Sequence, residues 1–149
     1  VLVVEKKAVA RWGEKGFVSA RGEIFQPKVG HENHDLPLLF GPIGKTAYVM
    51  DQYRSFNDRF RVLGVKVVEL HLTERRTWFI RFDTGMQLIL DQNQINDKLQ
   101  RFLWLYQREL APYADRIASV DLRYRNGLAV AWKEGQAVPV SNNQLQRLQ

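Results

Sequence analysis

The sequence predicts an α+β domain. Its expected core is a twisted, mainly antiparallel mixed sheet, with two main helices packed on one side and an open edge at the C-terminal strand. Three observations lead there. Two segments carry apolar residues at helical spacing, each long enough for one amphipathic helix. Several short segments alternate apolar and polar residues and are divided by turns containing Gly or Asp. The last such segment is followed only by a polar stretch, Lys133 to Gln149. One apolar face per helix and a majority of hairpins imply two layers.

Residues 1 to 25 read as short strands. Ala8, Ala10 and Trp12 share one face, with Val9 and Arg11 on the other. The turn Gly13-Glu14-Lys15-Gly16 leads to the extended Phe17-Val18-Ser19-Ala20, and Arg21-Gly22-Glu23 turns again before Ile24-Phe25. Pro27 to Pro42 is a loop containing the apolar segment Leu36 to Phe40. Pro37 argues against a central strand there, leaving the segment to pin the loop to the core. A first helix is expected from about Lys45 to Leu63, where Val49, Tyr53, Phe56, Phe60 and Leu63 form one stripe and Gly64 stops it. Strands follow at about Val65 to Leu72, Thr77 to Phe82 and Met86 to Leu90, the last two joined by Asp83-Thr84-Gly85. A second helix runs from Asn93 or Gln94 to Leu110, burying Ile95, Leu99, Phe102, Tyr106 and Leu110; Pro112 prevents simple continuation. The final hairpin has Val120, Leu122 and Tyr124 in one arm, Arg125-Asn126-Gly127 as the turn, and Leu128, Val130 and Trp132 in the other.

The chain has 149 residues, and 45% of them are apolar, enough for one domain with a sizeable core. Its formal charge of +6 favours anionic partners. Lys and Arg are spread along the chain, however, and Arg75-Arg76 is the only adjacent arginine pair. No basic run carries an aromatic platform, which disfavours nucleic acid, and a negative membrane surface is discounted with it; an acidic protein partner fits at least as well. The chain has no cysteine, which removes disulfides, thiolate nucleophiles and Cys metal sites. No stretch approaches 18 apolar residues. The opening Leu2-Val3-Val4 reads as a fragment that starts inside a strand, with any anchor upstream.

Several motifs have a plainer explanation than chemistry. Asp83-Thr84-Gly85 matches an aspartic-protease half-site, but that chemistry needs two carboxylates sharing a proton, and a turn already explains the triplet. Gly44-Lys45-Thr46 resembles the end of a phosphate loop, yet Leu39 stands where its first Gly belongs, so Lys45 is expected near a helix start. His31, His34 and Asp35 could in principle hold a metal, but read better as exposed loop residues. No Ser lies in a nucleophile elbow and periodicity places no carboxylate pair. The expectation is therefore a protein that is not an enzyme and has no cofactor and no metal.

Five segments occur in order: Val9-Ala10-Arg11-Trp12-Gly13, Gly22-Glu23-Ile24-Phe25-Gln26-Pro27, Leu36-Pro37-Leu38-Leu39-Phe40-Gly41-Pro42, Arg75-Arg76-Thr77-Trp78 and Val120-Asp121-Leu122-Arg123-Tyr124. Together they resemble the periplasmic β domain of the FtsQ/DivIB family of bacterial division proteins, over about residues 1 to 132, leaving 133 to 149 as a polar, flexible tail. The resemblance implies a single-pass protein of the Gram-negative inner membrane, with a membrane helix and a POTRA domain ahead of this fragment. The domain itself would lie in the periplasm at the division septum. It implies recruitment of divisome proteins, chiefly the FtsB–FtsL pair, with FtsB continuing the sheet at the last strand.

By matched position, the resemblance puts Tyr124, Asn126 and Trp132 at the partner site, together with Arg123 and one of Arg75 and Arg76. Asn126 stands where the family's best-known member has Ser; the turn survives, and partner specificity is what the change bears on. The expected partner-binding set is Arg75, Arg76, Arg123, Tyr124, Asn126, Gly127, Leu128, Ala129, Val130, Ala131 and Trp132. Strand alternation would send the two adjacent arginines to opposite faces. Ala129 and Ala131 would lie opposite Leu128, Val130 and Trp132, and proline at either alanine would probe edge pairing. Spacing alone leaves Trp132 between closing the core and meeting a partner. Two rival readings remain: a scaffold binding through helix faces or loops, its last edge covered by its own tail, and a cell-wall enzyme.

Overall fold

A computed structural model describes residues 7–14, 16–26 and 36–134. The expectations for Leu2 to Val4, for His31, His34 and Asp35, and for the tail beyond residue 134 lie outside the described residues. The chain forms β1 (Ala8–Trp12), β2 (Gly16–Ser19), β3 (Ile24–Phe25), β4 (Leu38–Phe40), α1 (Thr46–Phe60), β5 (Val67–Leu72), β6 (Trp78–Phe82), β7 (Gln87–Leu90), α2 (Ile95–Leu105), β8 (Ile117–Asp121) and β9 (Ala129–Trp132). Among the described residues, these nine strands join one sheet in the order β3-β2-β1-β4-β5-β6-β7-β8-β9. The pairs β1–β4, β4–β5 and β7–β8 are parallel, and the other five neighbours are antiparallel. The mixed α+β architecture is the one the sequence predicts.

The register explains how one face becomes core. Trp12, Leu39, Leu70, Ile80, Leu88, Val120 and Val130 are successive cross-strand partners, and all are buried. Onto this face α1 and α2 lay the stripes read from the sequence, with Phe56 and Phe60 from one helix and Leu99 and Phe102 from the other. The two helices meet over Phe82: its ring centroid lies 4.9 Å from Phe60 and 6.4 Å from Phe102. Such edge-to-face and offset contacts add to plain area burial. The opposite face carries the row Phe40, His71, Phe79, Ile89, Asp121 and Ala129, none of it fully buried.

Three local differences from the sequence reading have clear causes. Leu38–Phe40 is a central strand, hydrogen-bonded to parallel neighbours on both sides. Pro37 permits this because it precedes the strand, where its missing N–H interrupts no ladder, and its carbonyl accepts from the Arg11 N–H at 2.8 Å. The second helix does not run as one α-helix to Leu110. After Leu105 it widens into a π turn (Tyr106–Leu110) and then tightens into a 3-10 stretch (Ala111–Arg116). Pro112 is the cause: it has no N–H to give and its ring would strike a carbonyl one turn back, so the chain rewinds around it. Third, β8 stops at Asp121, so Tyr124 belongs to a loop, not a strand arm.

Other expectations hold in place. Gly64 ends the first helical segment in the left-handed region, φ 75°, its N–H donating to the Arg61 carbonyl. Gly41 is tied to packing: a Cβ there would come within 2.7 Å of Val49 Cγ2 on α1. Asp83-Thr84-Gly85 is the β6–β7 turn, with Gly85 at φ 92° and its N–H on the Phe82 carbonyl. Lys45 sits at the position preceding α1, its carbonyl accepting from Val49 N–H at 2.9 Å.

Candidate partner-binding edge

Strands β1, β4, β5, β7 and β8 all point one way, because two reversals separate β5 from β7 and the other links are parallel. Their C-terminal ends therefore share one end of the sheet. The β5–β6 turn, the β7–α2 connection and the β8–β9 loop gather there, and both helices begin there. This brings Arg75, Arg76, Arg123 and Arg125 to the same end, though they are far apart in sequence.

At the edge, β9 has β8 as its one strand neighbour among the described residues. The ladder pairs Asp121 with Ala129, Val120 with Val130, Ser119 with Ala131 and Ile117 with Trp132, with a bulge in β8. Lys133 continues it, its N–H donating to the Arg116 carbonyl at 2.8 Å. Antiparallel main chains alternate inward and outward. Counting back from Lys133, the backbone groups of Ala131 and Ala129 face β8 and those of Val130 face the outer flank. Proline at Ala129 or Ala131 would consequently break the internal ladder, and Val130 is the position whose amide reports on the edge.

The side chains divide by face. Leu128 and Val130 are core, and Gly127 is buried beside them. Ala129 is half-buried and Ala131 exposed, on the other face. Trp132 is half-buried against the core, its ring edge-on to Tyr113 at 6.4 Å. Tyr124 is 54% exposed, and Asn126 is exposed in the same loop.

The loop owes its shape to Asp121. Its Oδ1 accepts the Arg123 backbone N–H at 3.0 Å, a local side-chain turn that ends the strand alternation. The Leu122 N–H meanwhile continues toward β7, donating to the Ile89 carbonyl at 2.7 Å. The same carboxylate takes the Arg123 guanidinium: Nε lies 3.0 Å from Oδ1 and 3.2 Å from Oδ2, and an Nη lies 2.8 Å from Oδ2. Those hydrogen bonds, and then the charge of Asp121, push the Arg123 pKa above the ordinary arginine value. Arg123 also lines a hollow of about 300 Å³ with Arg125, Asn93, Gln94 and Lys98. Lys98 is 3% exposed and pairs with Asp91 at 2.5 Å. Arg125 makes no hydrogen bond or ion pair among the described residues.

Arg75 and Arg76 lie in the β5–β6 turn, so strand alternation does not assign their faces. Thr73 closes that turn, taking the Arg76 N–H on its carbonyl at 3.0 Å and the Thr77 N–H on its hydroxyl at 3.0 Å. Arg76 occupies the left-handed region at φ 63°. Both arginines are exposed. From strand spacing they stand roughly 10–15 Å from the β8–β9 loop across the sheet end.

Sequence reasoning missed Asp121, Asp91, Lys98, Gln94 and Arg125. Asp121-Leu122-Arg123 did hold a signal, because Asp accepts its own backbone two residues on. The other four are assembled by topology, which no local spacing announces. His71, also without an evident role in the sequence, is exposed on β5, its ring 5.0 Å from Phe40. Asp83, at the opposite sheet end, accepts the Lys66 N–H at 3.2 Å, as a turn residue does. Among the described residues, no helix is long and apolar enough to cross a membrane.

Comparison with known proteins joins this geometry to a family. Residues 10–123 match the model of the C-terminal region of cell division protein FtsQ/DivIB. Cell division protein FtsQ of Acinetobacter oleivorans is 40% identical over 144 residues, covering 97% of this chain and 51% of that protein. The FtsQ proteins of Vibrio cholerae and Coxiella burnetii are each 30% identical, covering 96% and 89% of this chain and 55% of theirs. The chain thus spans about half the length of these relatives. With the match running from the first strand into the loop that carries Arg123, the chain belongs to the FtsQ/DivIB family of cell division proteins, as its C-terminal domain.

Proposed function

We propose that this domain is a non-enzymatic docking module that binds the FtsB–FtsL pair, with an FtsB strand added to the outer flank of β9. The observation that carries the reading is the position of β9 at the sheet edge among the described residues, with Val130 main-chain groups facing outward and Tyr124 and Arg123 exposed beside it. A strand laid there gains main-chain hydrogen bonds at fixed spacing, and Tyr124 offers an aromatic anchor. Arg123 and one or both of Arg75 and Arg76 meet acidic residues of the partner, giving orientation and association rate more than affinity. Asn126, Gly127 and Leu128 shape the loop that presents the edge, while Ala129 and Ala131 leave room for close approach. Trp132 closes the core end of the strand and contributes its remaining surface. The intact protein is anchored in the inner membrane by one helix, holds this domain in the periplasm and links the pair to septal wall synthesis.

Hydrogen exchange tests the mode of binding. In the free domain the Val130 amide should exchange faster than those of Ala129 and Ala131, and FtsB–FtsL should protect it. Binding with no change at Val130 rules out strand addition. A second reading, a scaffold binding through a helix face, draws on Trp104, which is 46% exposed on α2 beneath Arg108. Trp104→Ala should leave FtsB–FtsL binding intact; loss would favour that reading.

A further inference from the structure

We propose that Asp121 is a positioning residue for the partner, one that fixes the Arg123 guanidinium in its binding orientation; the inference rests on the docking reading above. Asp121 lies at the end of β8, its side chain only 16% exposed, while that of Arg123 is 48% exposed. One carboxylate thus holds both the backbone N–H and the side chain of the same arginine. A guanidinium has five N–H groups. Nε and one Nη donor are committed to Asp121, and the remaining donors are left on the side turned away from it. An exposed arginine normally loses rotamer freedom when it pairs. Here that ordering is already present in the free domain, and an incoming carboxylate meets a preset fork.

The alternative is that Asp121 merely competes for Arg123. The two ideas differ in sign. Neutralising a competing carboxylate makes the loop more positive and should tighten binding to an acidic partner. Neutralising a positioning carboxylate should weaken binding although the charge change favours it. Asn suits the substitution because its carbonyl oxygen can still accept the Arg123 backbone N–H and keep the loop turn.

The experiment measures association and dissociation of the 149-residue chain with the purified periplasmic FtsB–FtsL complex for D121N, R123A and the double variant, with thermal melts for each. Expected for D121N is a Kd raised about fivefold or more, carried by faster dissociation, with association unchanged or faster. In the R123A background the same substitution should change nothing, because no guanidinium remains to position. D121N binding as tightly as the parent, or tighter, overturns the proposal. An equal loss from D121N in both backgrounds also overturns it, marking a structural role for Asp121. R123A leaving affinity unchanged overturns the docking reading itself, and the proposal with it.

Discussion

Truncating Tyr124 should separate binding from folding. Tyr124 is 54% exposed, so about 80–135 Å² of the roughly 150–250 Å² an aromatic side chain can bury is still open. At about 25 cal/mol per Å², covering that area completely is worth about 2–3 kcal/mol. Tyr124→Ala should therefore raise the Kd for FtsB–FtsL about 30- to 150-fold. The ring sits in a loop after the end of β8 and belongs to no core cluster. Its loss should change stability by no more than about 0.5 kcal/mol, or about 1–2 °C in Tm for a chain of this size. Calorimetric titration gives the first quantity and a circular-dichroism melt the second. A folded variant that binds like the parent refutes the assignment of Tyr124 to the interface. A fall in Tm of several degrees refutes the structural half of the reasoning.

Further expectations follow from the same geometry. Leu128→Ala, at 2% exposure, should destabilise the domain by about 2–5 kcal/mol, seen as a Tm fall of roughly 5–15 °C. Arg76→Gly should raise stability by about 1 kcal/mol in denaturant melts, since glycine relieves the left-handed conformation at φ 63°; a parallel loss of partner binding would single out Arg76 over Arg75. Gly41→Ala should destabilise by about 1–3 kcal/mol, because the new methyl meets Val49 at 2.7 Å. Burial and the nearby Asp83 charge raise the Tyr106 pKa above 10.0. The fold therefore favours the neutral phenol, and its contribution is intact below pH 10 and declines as pH rises past the unfolded value. Tyr106→Phe should flatten that alkaline loss in melts across pH 9 to 11.

The two-layer arrangement was already legible in the residue pattern. Period 3.6 in Val49 to Leu63 and Ile95 to Leu110, and period 2 in Trp78 to Leu90, dictated which residues face the core, because burial of an apolar face allows one orientation per element. The segment motifs likewise carried the family. Tertiary structure decided what periodicity cannot encode. A short strand after Pro37 became central because neighbours on both sides satisfied its backbone. Arg75, Arg76, Arg123 and Arg125 came to one end because β5 and β8, whose C-terminal ends lead into their loops, run the same way. The outer flank of β9 was defined by pairing order, since whether a backbone amide meets a neighbour depends on what packs beside it, and local sequence fixes only which way its side chain points.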